Sequence, residues 1–181
     1  MSSWITVYCR VPVGGLSSAA VLSGIRAGDE NARAGVDYFT LAEQYEGVND
    51  DDDAVSAALS GLRLCESDVQ TEGLSRSTVA GGLRLHYGAT KPVILHHWNE
   101  PGRLDEELQE CRHRQPSEVA NQMLSACCEI VGIELQASQL RDFGVVLAYE
   151  LARYLAQKGD AVLVDDEGRW FVVVDGVFEE R

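Results

Sequence analysis

Four histidines and five cysteines are the residues of this chain best suited to metal, acid–base or nucleophilic chemistry. Their spacing argues against most of it. His86, His96 and His97 share one stretch, but His96 and His97 are consecutive in a predicted strand and so point to opposite faces. In a hairpin closed near Gly88 and Pro92, His86 falls opposite about residue 94 and His96 opposite about residue 84. A zinc ion needs ligands converging at about 2.0 to 2.3 Å, which that arrangement does not offer. Cys111 and His113 lie two apart on a predicted helix and diverge. Cys127 and Cys128 lack the two-residue spacer of a redox pair, and Cys127 is expected in the core. Cys9, Cys65, Cys111, Cys127 and Cys128 are an odd number without framework spacing, as expected of free thiols in a reducing cytoplasm.

No phosphate loop, nucleophile elbow, zincin helix or dinucleotide-binding turn is present. We therefore expect no cofactor, no metal and no assignable catalytic residue. The alternative is an enzyme or small-ligand protein that uses His86, His97 or Asp37 in a pocket against the sheet.

Acid is the other candidate for chemistry. Asp and Glu number 29 against 15 Lys and Arg, a net charge of −14 with a pI near 4.6. This balance disfavours nucleic acid, whose binding rests on cations that neutralise phosphate, and anionic membrane surfaces as well. Part of the acid is gathered in three runs: Asp50, Asp51, Asp52 and Asp53; Asp105, Glu106, Glu107 and Glu110; Asp165, Asp166 and Glu167. Helix capping uses one or two of the first run, and the remainder either decorates the surface or meets an electropositive partner. A calcium loop fits poorly, since the alternating ligands, central glycine and terminal Glu are missing. The expected partner is a basic protein, with Trp98 and Tyr45 as aromatic anchors for a protein that is itself a monomer or homodimer.

These groups must be positioned by a single α+β domain, with a mixed or antiparallel sheet, hairpins and several helices including one long late helix. The 181 residues, 45% of them hydrophobic, suffice for one core. Trp4–Val11 alternates as a half-buried strand. A helix follows with Ser17 as N-cap, a staple of Leu16 and Val21, and a stop at Gly28. Tyr38, Leu41, Ala42 and Tyr45 recur at helical spacing, and Val55, Ala58, Leu59 and Leu62 form another helix face. Residues 62–70 are predicted as a strand, and 83–87 with 93–98 as a hairpin. Pro101 opens a helix with the stripe Leu104, Leu108 and Cys111. A further helix is predicted from Ser117 through Ile130 to Gly132, then a short strand over 133–135. Residues 136–158 are predicted as one long helix closed by Gly159. The chain then forms a hairpin of 161–164 and 169–174, with a further turn at Asp175-Gly176. The start of the sequence lacks the basic and apolar segments of a leader, and no apolar run reaches the length of a membrane span.

In overall character the chain resembles the immunity proteins of bacterial polymorphic-toxin and contact-dependent inhibition systems, which are small, acidic, cytosolic α+β proteins without catalytic motifs. The three acidic runs carry the resemblance. It implies stoichiometric binding that blocks a toxin domain, often a basic nuclease.

Overall fold

A computed structural model describes residues 2–30, 52–66, 69–70, 74, 82–88, 91–114 and 116–181. In chain order its elements are β1 (Ser2–Cys9), α1 (Ser18–Glu30), α2 (Asp52–Ser60), β2 (Arg63–Glu66), β3 (Val69–Gln70), β4 (Leu83–His86) and β5 (Val93–Trp98). There follow α3 (Pro101–Arg112), α4 (Glu118–Leu124), β6 (Glu129–Gln136), a 3-10 turn (Ala137–Arg141), α5 (Phe143–Gly159), β7 (Ala161–Val164), β8 (Trp170–Val174) and β9 (Val177–Glu180). The strands form one sheet in the order β3-β2-β4-β5-β6-β1-β7-β8-β9, and every pair is antiparallel. The fold is α+β, as the sequence pattern predicts, and among the described residues no helix is long and apolar enough to cross a membrane.

β1 is central, hydrogen-bonded to β6 on one side and β7 on the other. Its alternation sends Ile5, Val7 and Cys9 to one face, where α1, α2 and α5 cover the larger core together with Ile133, Leu135, Leu85 and Leu95. Trp4, Thr6 and Tyr8 take the other face. There Tyr8, Ile130, Val162, Val164 and Trp170 form a second cluster with Cys111, Ala120 and Leu124 of α3 and α4. α5 packs directly on β1 and β7, and buried Leu147, Leu151 and Leu155 make the wide apolar stripe that puts it there.

Several boundaries differ from the sequence reading. β1 ends at Cys9 because the amides of Arg10 and Val11 both turn to the Gly159 carbonyl. Ser17 does cap α1, its hydroxyl accepting from Ala20 N at 3.2 Å, but the helix runs through Gly28 to Glu30. The strand predicted over 62–70 is two short strands, β2 and β3, paired with each other. The hairpin register is two residues tighter than expected, with Arg84 opposite Ile94 and Leu85 opposite Val93.

The largest correction concerns 125–136. The predicted helix stops at Leu124, buries Ala120 and Leu124, and leaves Val119 exposed; Ile130 and Gly132 belong to β6, the long neighbour of β1. A β-branched run at Ile130, Val131 and Ile133 that is buried on both faces favours a central strand over helical spacing. The long helix is likewise interrupted. Asp142 is extended and caps α5 by accepting from Gly144 N at 2.7 Å, while Tyr87 donates its hydroxyl to the same carboxylate oxygen at 2.9 Å. Beyond the predicted C-terminal hairpin, Asp175 at φ 51° and Gly176 at φ 85° turn the chain into a further strand, β9.

Candidate functional site

Among the described residues, the cover over the second face stops partway across the sheet. Trp4, opposite Glu134, and Ile94, opposite the same Glu134, belong to neither core cluster, and Trp4, His96, Trp98 and Glu134 are all half-buried. The register explains how they meet. His96 lies across from Gly132, and the missing side chain there makes room for two indoles: a Cβ on Gly132 would stand 2.7 Å from Trp98 and 3.1 Å from Trp4. The His96 ring sits 5.0 Å from Trp4 and 5.8 Å from Trp98, lying within 10° of parallel to the latter. Its Nε2 is 3.0 Å from Glu134 Oε2, which fixes the ring between the two indoles.

This aromatic row runs into α3. The Arg103 guanidinium lies 6.0 Å over the Trp98 ring and reaches Glu107 at 3.1 Å. Asp105, Glu106 and Glu110 are exposed, so three of the predicted acidic residues lie on the open face of the helix that adjoins Trp98. Glu107 is half-buried and engaged by Arg103. Flat π-faces beside carboxylates favour cations and planar groups, through ring quadrupole and charge together. The sequence reading found Trp98 and the α3 acid but missed Trp4, His96, Glu134 and Arg103, which only the β1–β6–β5 register brings together.

The third acidic run is divided by its turn. Asp165 is 2% exposed and fully occupied: Oδ1 accepts from the amides of Glu167 and Arg169 at 3.0 and 2.9 Å, and Oδ2 accepts from Arg169 Nε at 2.7 Å. It holds the β7–β8 turn and offers no oxygen to a partner. Hydrogen bonding to Asp165, ahead of the nearby charges, raises the pKa of Arg169 further above its ordinary value. Asp166 and Glu167 are exposed. Asp52 and Asp53 open α2, whereas Asp50, Asp51, Tyr45 and Asp37 lie outside the described residues.

Of the residues named for the enzymatic alternative, His86 and His97 do not share a pocket. Alternation along paired β4 and β5 sends His86 to the open face and His97 to the face with the larger core. There the His97 side chain is 5% exposed, with Nε2 3.2 Å from Glu129 Oε2 in a geometry too bent for a hydrogen bond. That carboxylate oxygen instead accepts the amides of Val13 and Gly14 at 2.7 and 2.8 Å and pins residues 10–16 over the histidine. Gly14 is needed for the approach, since a Cβ there would lie 2.8 Å from the His97 ring.

All five cysteines are free. Burial pushes the Cys9 thiol well above the usual range, raises that of Cys111 and brings Cys127 up to about 12, which disfavours a thiolate nucleophile at any of these positions. Among the described residues no three His, Cys, Asp or Glu side chains group to hold a metal ion. The sequence matches no protein-family model, and no curated protein or solved structure is similar to it. The class defined by the described residues is thus a structural one: an antiparallel sheet with one face largely covered by helices and one partly open aromatic face edged by acid.

Proposed function

We propose that the chain is a protein-binding module that docks a basic protein on its open sheet face, acting as an immunity protein that blocks a cognate toxin domain. The observation that carries this reading is the half-buried row of Trp4, His96 and Trp98 running directly into the acidic face of α3. Aromatic anchors supply the short-range part of an interface, while a field of opposite sign accelerates encounter and excludes anionic partners. Blocking a toxin requires no catalytic group and no cleft of its own. Five free thiols suit a reducing cytoplasm as the place of action.

The test is capture by tagged protein from its native cells, with low-salt and then high-salt washes, followed by titration of the purified captured protein. The reading expects a basic protein bound one to one, with affinity that falls as salt rises and drops by about 30-fold or more on Trp4→Ala, the size of a hot-spot loss. Binding that is indifferent to both salt and Trp4 would contradict it.

A further inference from the structure

On the other face of the same strand end lies a shallow cleft of 270 Å³ between β1, β6, the 3-10 turn, α5 and the β7–β8 turn. Ile5, Leu135 and Val145 back it but are at most 2% exposed, so its apolar surface comes from half-buried Tyr149 and from Leu140, one of the few large hydrophobic side chains left exposed among the described residues. Its rim carries Asp165, Asp166, Glu167 and Arg169, so three carboxylates face one guanidinium. Arg169 is turned onto its own loop, reaching Asp165 Oδ2 from both Nε and Nη2 at 2.7 Å and Glu167 at 3.3 Å, and is not presented to an anion. Asp165 is saturated in return. Three carboxylates against one guanidinium leave the rim negative, and Asp166, exposed and outside both ion pairs of Arg169, carries the charge it has to spare.

A volume just below the usual range for small-molecule sites, about 300 to 1,000 Å³, suits one long side chain better than a cofactor. The exposed flank of Leu140 with half-buried Tyr149, ending at the Asp166 carboxylate, matches an alkyl stem with a cationic head, the way lysine and arginine bury their methylenes while keeping the charge in water. Ser3 lines this cleft and Trp4, its neighbour in β1, starts the aromatic row on the opposite face. We propose that the cleft seats a single lysine or arginine side chain of the basic partner. This rests on the reading of the partner as a basic protein.

The experiment is a titration of the full chain, followed by amide NMR, with N-acetyl-lysine methylamide, its norleucine counterpart and spermidine as probes. The expected result is a saturable, millimolar response at Leu135, Leu140, Tyr149 and Glu167 to the lysine probe. Norleucine should bind about fivefold more weakly, as should lysine with the Asp166→Asn/Glu167→Gln variant, the loss of roughly one exposed charge contact. Equal binding of norleucine, no response at those amides, or tight binding of spermidine alone would overturn the proposal, the last by assigning the cleft to a free polyamine. The wild-type comparison of lysine with norleucine stands even if the variant fails to fold. Because no partner is present, failure here alongside successful salt-sensitive capture removes the cleft and leaves the docking face intact.

Discussion

The two faces of the sheet are made by alternate residues of the same strands, yet they are finished differently. Ile5, Val7, Ile133 and Leu135 vanish under α1, α2 and α5, whereas Trp4 and Glu134, one residue away along those strands, stay half in solvent. Cover by α3 and α4 reaches Tyr8, Ile130 and Trp170 and goes no further than the edge of Trp98. A period of two thus separates a covered face from a partly open one within single strands. Substitutions on the covered face should act on folding, and those on the open end should act on binding.

The largest expected effect breaks the covered face. Leu147→Ala empties a fully buried position of α5 and should cost about 2 to 5 kcal/mol in chemical denaturation, the range for core truncations. Glu129→Ala comes next. It strands the amides of Val13 and Gly14 in a buried setting and should cost about 1 to 3 kcal/mol, with faster amide exchange confined first to residues 10–16.

Alkali gives a milder test of burial. The folded-state pKa values of Cys9, Cys111, Cys127 and Tyr8 are raised mainly by desolvation, so their protonated forms belong to the folded protein. An unfolded chain releases those protons first. Their contribution is whole below the ordinary thiol value of 9.0 and, for Cys127, is lost as pH rises toward about 12. Denaturation midpoints followed from pH 8 upward should therefore fall, and a midpoint that rises across that window would contradict the burial of these groups.

The smallest effect on folding is expected at the open end. Asp105→Asn, Glu106→Gln and Glu110→Gln together should shift stability by only about 0.5 kcal/mol. The same variant should flatten the salt dependence of partner binding, measured by titration at two ionic strengths.

Much of the fold was legible because its signals are local. The alternation of β1, the Ser17 cap, Pro101 at the start of α3, and the Asp-Gly turns each declare themselves within a few residues. Only the 133–135 part of β6 was legible, because Val119, Met123, Cys127 and Ile130 imitate a helical stripe and pairing with β1 decides for strand from Glu129 onward. The break at Asp142 was hidden for a similar reason: Tyr87, 55 residues away, completes the cap. The aromatic row depends on register. Trp4, His96 and Trp98 come from two strands separated by β6, and Gly132 between them announces nothing until its neighbours are known. Acid runs were visible at once, yet Asp165 shows that a carboxylate in such a run can be consumed by its own turn.

The contrast between the faces can be measured through the three tryptophans, since Trp170 is 4% exposed while Trp4 and Trp98 are half-buried. Acrylamide quenching of variants that keep one tryptophan each, with the others changed to Phe, should be recorded with and without the captured basic partner. The account predicts that Trp4 and Trp98 are quenched in the free protein and shielded in the complex, while Trp170 is shielded in both. Partner binding that leaves the quenching of Trp4 and Trp98 unchanged would contradict the assignment of the open face as the docking surface.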